Sequence, residues 1–159
     1  MPIPPYVAAL REKIGHDPLL AFGASGIVWD GAGNLLLIRR SDNGRWALPG
    51  GMMEPGERIA DCLVREVREE TGVEVEPVRL VGIYSDPAYG HVILDNGDEL
   101  YVVIAAFECR VLGGVPRADG EESLEVAYFS TDDLPASLAP VHRMRIEDAR
   151  AGREAAFFR

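Results

Sequence analysis

The most informative part of the sequence is residues 51–73, which read GMMEPGERIADCLVREVREETGV. Residues 58–71 carry the strongest helical pattern in the chain, and the glycine that follows is typical of a helix C-cap, so we predict a helix that ends before Gly72. At 100° per residue, Glu66, Glu69 and Glu70 fall within an arc of about 100°. The neighbouring arc is apolar and should face the core. The helix is therefore predicted to carry a cluster of carboxylates beside its buried face.

The clustered carboxylates of this helix are candidates for a metal site, although the helix alone favours a solvated acidic face. Three carboxylates on one patch repel each other unless a positive charge lies between them, and Mg²⁺ or Mn²⁺ suits their hard oxygen atoms best. A solvated acidic face is the alternative interpretation. The approach to the helix favours the metal, because the glycines of Leu48-Pro49-Gly50-Gly51 let a ligand come close to the backbone. Glu57 adds a fourth carboxylate near the helix start, where negative charge is favourable.

The spacing of these residues resembles the signature of a known family. Seven fixed identities and two apolar positions match the box of the Nudix hydrolases, and chance would produce such a match with a probability well below ~10⁻⁶. The matching positions are Gly51, Glu57, Arg65, Glu66, Val67, Glu69, Glu70, Gly72 and Val73. The resemblance implies an α+β fold of the Nudix type, an α/β/α sandwich with a mixed β-sheet. It also implies an enzyme that hydrolyses phosphoanhydride bonds.

The same resemblance implies a divalent cofactor, Mg²⁺ with Mn²⁺ as the alternative, and a role for each polar residue of the box. Phosphoanhydride cleavage requires neutralised phosphate charge and an activated water. Glu66, Glu69 and Glu70 match the metal-binding glutamates of the family, and each is a candidate for the catalytic base. Glu57 matches a glutamate that supports the metal, and Arg65 matches the arginine that orients the glutamates.

Two further candidates for the metal and the chemistry lie outside the box. Gly50, directly before it, is a candidate to donate a carbonyl oxygen to the metal. In the family a glutamate of a later loop often acts as a metal ligand or base, and Glu121, Glu122 and Glu125 all qualify here. We predict that Glu122 has this role, because Glu125 begins a strand. An ordinary solvated loop carboxylate is the alternative.

Three residues outside the box are candidates for substrate binding. Arg40 ends a predicted strand and can reach a substrate phosphate, with a surface ion pair as the alternative. Trp46 and Tyr89 carry aromatic rings on which a nucleobase can stack. A tryptophan in the position of Trp46 is more often a core residue, so that alternative also stays open.

The resemblance predicts the substrate only as a class, a small-molecule nucleotide. Pro87, about fifteen residues beyond the box, resembles a proline of the ADP-ribose pyrophosphatases, and Tyr89 resembles a tyrosine of the diadenosine polyphosphate hydrolases. We therefore expect a nucleoside diphosphate linked to another moiety. The short chain equally suits a house-cleaning nucleoside triphosphate pyrophosphohydrolase. The remaining alternative is a non-enzymatic domain that senses a nucleotide, and the complete box disfavours it.

Strands and turns dominate the sequence on both sides of the box. Turn residues between the first two predicted strands, Asp30-Gly31-Ala32-Gly33-Asn34, have the composition of a hairpin loop. Strands in hairpins with only two or three helices predict an α+β layered fold rather than a doubly wound one. We expect one domain over residues 1–159, with a short helix at about residues 5–14. Predicted strands cover residues 21–29, 34–40, 75–84, 99–111 and 124–129, a short extended piece covers residues 46–48, and a closing helix covers residues 141–151.

Composition and charge exclude several classes of protein. The net charge of −10 argues against a nucleic acid polymer as the partner, because such binding depends on basic residues. Lys13 is the only lysine, which excludes a Walker-type phosphate loop. Cys62 and Cys109 are predicted to be buried apolar residues. We expect neither a membrane span nor a signal peptide, and hence a cytoplasmic protein. Homodimerisation stays open, since members of the family are often dimers.

Overall fold

The computed structural model of the chain describes residues 5–94 and 96–159. Within these ranges the chain forms four helices and nine strands. The helices are α1 (Pro5–Ile14), α2 (Ile59–Thr71), α3 (Pro87–Gly90) and α4 (Pro140–Arg150). The strands are β1 (Leu19–Trp29), β2 (Leu35–Arg40), β3 (Trp46–Ala47), β4 (Gly50–Met52), β5 (Val73–Tyr84), β6 (His91–Ile93), β7 (Glu99–Gly114), β8 (Ser123–Phe129) and β9 (Phe157–Phe158).

The strands form one mixed sheet, whose main path runs β3-β2-β1-β7-β5-β9. β1 lies parallel to β7, and β5 lies parallel to β9, whereas the other paired strands are antiparallel. The predicted hairpin is confirmed, because Trp29 pairs with Leu35 across the turn. The side chain of Asp30 closes this turn by accepting hydrogen bonds from the backbone of Ala32 and Asn34.

Helices cover both faces of the sheet, because successive residues of a strand point to opposite sides. On one face α2 contributes Leu63 and Val67 to a core that contains Val28 of β1. On the other face α4 contributes Ile146 to a second core, which contains Ile27 of the same strand. The expected α+β architecture, with helices on either side of a mixed sheet, is confirmed.

Helix α2 ends where its sequence predicts. Gly72 follows its last residue with a φ of 70°, in the left-handed region that glycine tolerates best, and its N–H donates to the carbonyl of Arg68. Thr71 is buried and donates from its hydroxyl to the carbonyl of Val67. This end of the helix therefore packs into the protein and carries Glu70 inwards with it.

The remaining predictions about the chain agree with the structure at the level of elements. The short first helix and the closing helix are present within one residue of their expected bounds. Cys62 and Cys109 are buried and unbridged, as expected. Four short elements were not predicted: β4, α3, β6 and β9. No helix in the described parts of the chain has the length and apolar character that crossing a membrane requires.

Candidate active site

Two glycines allow the start of the box to pack tightly between β1 and α2. Gly50 has a φ of 145°, and a Cβ there would lie 2.7 Å from the Cα of Ser25 in β1. A Cβ on Gly51 would lie 2.6 Å from a carboxylate oxygen of Glu66. Gly50 meets backbone atoms and has a positive φ, so its position requires glycine. At Gly51 any side chain would displace the carboxylate of Glu66. The carboxylate of Glu66 consequently lies directly against the backbone of β4.

Arg65 lies at the centre of a network of carboxylates. Its Nε and Nη2 donate to the two oxygens of Glu57 at 2.8 and 3.1 Å, a bidentate pairing that lowers the pKa of that carboxyl. Its Nη1 donates to Glu66 at 2.7 Å and to Glu69 at 3.1 Å. Nη2 also donates to the carbonyl of Met52 in β4. A single guanidinium therefore fixes three glutamates of the box relative to the strand before the helix.

Glu70 differs from these three glutamates because it is buried without a cation partner. Its residue is 4% exposed, and one oxygen accepts a hydrogen bond of 2.8 Å from the N–H of Gly50. Among the described residues, no basic nitrogen lies within 4 Å of its carboxylate. Burial raises the pKa of this carboxyl to about 8, and the hydrogen bond from Gly50 opposes the shift. The site thus contains a carboxylate that needs either a proton or a cation.

The loop before β8 brings Glu122 to the same place. Ser123 donates from its hydroxyl to the backbone carbonyl of Glu70 at 2.7 Å, which fixes the loop against the end of α2. Glu122 and Glu70 then line a small cleft together with Arg40 and Asp42. Burial raises the pKa of the carboxyls of Glu122 and Glu66, as it does for Glu70, and the charge of Glu122 adds to the rise at Glu66 and Glu70.

The other candidate glutamates lie outside this cleft. Glu121 is exposed, and Glu125 forms an ion pair of 3.2 Å with Arg39 on the surface of the sheet. Glu69 is held by Arg65 with its side chain 53% exposed, so it lies at the rim. Of the glutamates that the sequence singles out, Glu70 and Glu122 therefore line the cleft together, and Glu66 lies near enough for the charge of Glu122 to raise its pKa after the larger effect of burial.

The residues present fit a divalent cation. Carboxylate oxygens are the donors that Mg²⁺ and Mn²⁺ prefer, and a cation would neutralise the buried charge of Glu70. Within residues 5–94 and 96–159, no three acidic, histidine or cysteine side chains already form a group that could hold an ion. The reason is that Arg65 draws Glu57, Glu66 and Glu69 to itself. An ion would therefore first meet Glu70 and Glu122, the two carboxylates that line the cleft.

A cavity of about 840 Å³ opens from the start of the box across the sheet to α4. Gly50 and Gly51 line it at one end, and Arg40 lines both this cavity and the glutamate cleft. Arg40 donates from Nε to Asp42 at 2.9 Å, which orients its guanidinium. Tyr89 of the short helix α3 also lines the cavity and is about half exposed. The structure thus brings two of the three predicted substrate-binding residues to one cavity.

Trp46 occupies a different position. Its ring packs edge-on against the ring of Phe129, with 4.7 Å between the ring centroids, and both rings pack on the core beneath α4. Among the described residues that line the cavity, Trp46 is absent. These surroundings match the alternative interpretation of Trp46, which is that it is a core residue.

Helix α4 supplies cavity residues that the sequence did not suggest. His142 and Arg145 lie one turn apart and both line the cavity, as does Tyr84 at the end of β5. Burial lowers the pKa of His142 to about 3, so its ring is neutral and its Nδ1 accepts a hydrogen bond from the N–H of Leu48. The only sequence signal for this pair is the spacing of one helical turn, which does not reveal which face of α4 packs on the sheet.

Comparisons with known proteins agree on one family. The model of the NUDIX domain matches residues 19–149. A MutT-like protein from Streptomyces ambofaciens is 37% identical over 141 residues, which cover 89% of this chain and 84% of that protein. The 8-oxo-dGDP phosphatase from Homo sapiens is 31% identical over 142 residues, 85% of this chain but 38% of that protein. The crystal structure of an ADP-ribose pyrophosphatase from Streptococcus suis matches with a TM-score of 0.67 and 29% identity, over 87% of this chain and 97% of that chain.

Proposed function

The chain belongs to the Nudix hydrolase family, and we propose that its substrate is a nucleoside diphosphate linked to another moiety, such as ADP-ribose or a dinucleoside polyphosphate. The observation that supports this substrate class is the cavity of about 840 Å³, which is large for a small-molecule site. It joins the glycines of the box to Tyr89, so a phosphate near the box and a base near Tyr89 fit within one cavity.

In this proposal the glutamates have different roles. Glu66 and Glu70, with the carbonyl of Gly50, would hold Mg²⁺ or Mn²⁺, which neutralises charge on the phosphate oxygens when bound. Glu57 and Glu69 belong to the same metal site and act through Arg65. Arg65 is a positioning residue, because its contacts are with carboxylates and with the carbonyl of Met52.

Glu122 is the residue that we propose as the base for the attacking water. Arg65 does not hold it, and it faces the cleft beside Arg40 and Glu70. Its raised pKa, caused first by burial, brings its proton affinity closer to that of a general base at neutral pH. Arg40 would bind a substrate phosphate beside this base, and Tyr89 would stack on the nucleobase.

A second candidate substrate is a nucleoside triphosphate or an oxidised nucleotide, which a house-cleaning enzyme would remove. The observation that favours it is the 31% identity to the 8-oxo-dGDP phosphatase from Homo sapiens across 85% of this chain. The two candidates differ in the bond that is cleaved and in the products. ADP-ribose gives AMP and ribose 5-phosphate, whereas a triphosphate cleaved between its α- and β-phosphates gives a nucleoside monophosphate and pyrophosphate.

Product analysis on a nucleotide panel tests the proposal. The purified protein would be assayed with Mg²⁺, with Mn²⁺ and with excess chelator on ADP-ribose, diadenosine polyphosphates, and ordinary and oxidised triphosphates. We expect the highest kcat/KM on a linked nucleoside diphosphate and no turnover with chelator. Glu70→Gln, prepared in parallel, controls for contaminating hydrolases. Preferential release of pyrophosphate from a triphosphate would replace the first candidate by the second.

A further inference from the structure

Four arginines line the cavity, and one of them lacks the carboxylate partner that the others have. Arg145, in the middle of α4, forms no ion pair within 4 Å among the described residues, and its Nε is buried without a hydrogen-bond partner. The other three arginines are paired: Arg11 with Asp98 at 3.4 Å, Arg159 with Asp148 at 2.9 Å, and Arg40 with Asp42.

The surroundings of Arg145 do not compensate its charge. The residue is 7% exposed, so most of its hydration is lost. Its guanidinium carbon lies 5.2 Å from the centroid of the Tyr84 ring, a cation–π contact that is weak compared with the cost of burying an unpaired ion. Burial lowers the pKa of Arg145 only to about 10, so the side chain remains charged at neutral pH.

Asp148, the acidic residue one turn further along α4, already has other hydrogen-bond partners. Asp148 accepts from Nε and Nη2 of Arg159 at 2.9 Å each, and one of its oxygens also accepts from the hydroxyl of Tyr84 at 3.0 Å. His142, one turn earlier, is neutral and acts as an acceptor for the backbone of Leu48. These contacts fix the ring beside Arg145 and leave its guanidinium facing the cavity without an anion.

We propose that Arg145 binds a phosphoryl group of the substrate inside this cavity. The planar guanidinium matches the geometry of phosphate oxygens and is more weakly hydrated than an ammonium, which suits a buried site. The protein carries a net charge of −10, so an unpaired arginine in the cavity is a local attraction for an anion. The proposal rests on the proposed function in one respect, because it assumes that the anion arrives as part of a nucleotide.

The test compares Arg145→Met with Arg150→Met, an equal change of charge at an exposed position of the same helix. Calorimetric titration of the chelator-treated proteins with inorganic pyrophosphate and with ADP measures anion binding without catalysis. We expect Arg145→Met to raise Kd for both anions about 10-fold or more, the usual effect of losing charged hydrogen bonds. Arg150→Met should leave both Kd values unchanged. The ligand-free Tm of Arg145→Met should equal or exceed that of the wild type, because an uncompensated buried charge is gone.

Other outcomes overturn the proposal. Unchanged Kd values in Arg145→Met would show that no phosphoryl group binds there, and a lower Tm alongside them would indicate a structural role. If Kd for pyrophosphate rises but KM for the substrate found by the panel does not, the site binds a free anion instead. Arg145→Lys keeps the charge without the planar fork, so if Arg145→Met fails to fold, an unchanged Kd in this variant counts against the proposal. Because the titrations need no turnover, a failed substrate panel would not alter them.

Discussion

The glutamates of the candidate site share a charge but not an environment. Arg65 holds Glu57, Glu66 and Glu69 through its three nitrogens, so these carboxylates are oriented and paired with a cation. Glu70 has one hydrogen bond from Gly50 and no cation. Its ionised form is therefore unfavourable until a positive charge arrives. At the level of single residues, Glu70 is thus a buried carboxylate without a cation partner, whereas Arg65 fixes the geometry of the other three glutamates.

The first prediction concerns the pH dependence of stability without metal. Folding raises the pKa of Glu70 from 4.5 to about 8, so between these values the native state binds a proton that the unfolded state has lost. The contribution of Glu70 to the free energy of unfolding should therefore fall as the pH rises through this range. His142, whose pKa is lowered to about 3, acts in the opposite direction below pH 6.5, so the net fall should appear between pH 6.5 and 8. Glu70→Gln cannot ionise and should flatten the decline. Tm of the chelator-treated protein between pH 5 and 8 measures both, and a steeper decline in the variant would contradict the burial of this charge.

The second prediction separates Glu122 from its sequence neighbours. Glu122→Gln should lower kcat by about 10²-fold or more, the usual effect of removing a general base. Glu121→Gln is the matched control, because the same change is made one residue earlier on an exposed side chain. It should keep kcat within about twofold, since it removes no contact in the cleft. Equal activity of the two variants would exclude a catalytic role for Glu122.

The third prediction belongs to the packing of β4 on α2. Gly51→Ala places a Cβ 2.6 Å from an oxygen of Glu66, so the carboxylate or the strand must move. Misplacing a catalytic group by about 1 Å can cost 10²-fold in rate, and overpacking typically costs about 1–3 kcal/mol of stability. Gly31→Ala, in the open hairpin turn, is the control, because a Cβ there meets nothing within 4 Å. The test is to measure kcat and Tm of both variants. A wild-type kcat in Gly51→Ala would show that activity does not depend on the close contact between Gly51 and the carboxylate of Glu66.

Elements with a local signal could be predicted from the sequence, and elements that depend on distant partners could not. Helix α2 combines apolar periodicity with Gly72 as its cap, and the β1–β2 hairpin follows from its turn residues. Strand β4 is three residues long and exists because it pairs with β1. Strand β9 pairs with β5, more than seventy residues away in sequence. Neither strand is long enough for an alternation of apolar and polar residues to show.

The same distinction applies to the candidate site. Helical spacing alone predicts that the glutamates of α2 lie on one patch, but it does not distinguish the buried Glu70 from the half-exposed Glu69. That difference arises from the packing of the helix end against the loop of Ser123. Arg145 could not be predicted as a cavity residue, because its side chain reaches the cavity only through the packing of α4 on β5.

In the molecule as a whole, the candidate active site lies at the boundary between the two hydrophobic cores. Helix α2 packs on one face of the sheet and α4 on the other, and the cavity runs from the strand that precedes α2 to the side chains of α4. The buried carboxyl of Glu70 lies in the cleft beside one end of the cavity, and the buried guanidinium of Arg145 lines the cavity on α4. Neither group has an ion-pair partner within 4 Å in residues 5–94 and 96–159. A metal ion together with a nucleotide would compensate both charges, so the folded state should be stabilised by each.

The last prediction follows from this uncompensated charge. At a Mg²⁺ concentration 100 times its Kd, binding to the native state alone stabilises it by about 2.7 kcal/mol. For a chain of this size Tm should then rise by roughly 5–10 °C, at 2–4 °C per kcal/mol. Sodium chloride at equal ionic strength controls for screening of the net charge of −10, and should give a much smaller rise.

Two variants connect this rise in Tm to the site. Glu70→Gln should begin at an equal or higher Tm without metal, because its amide does not have to take up a proton on folding, and should gain much less from Mg²⁺ because a ligand is lost. Glu121→Gln, which changes the net charge equally, should respond like the wild type. If Mg²⁺ and sodium chloride raised Tm equally, or if both variants kept the full response, the carboxylates would be a solvated acidic face and the metal would bind elsewhere. A loss confined to Glu70→Gln would locate the ion at the buried carboxylate.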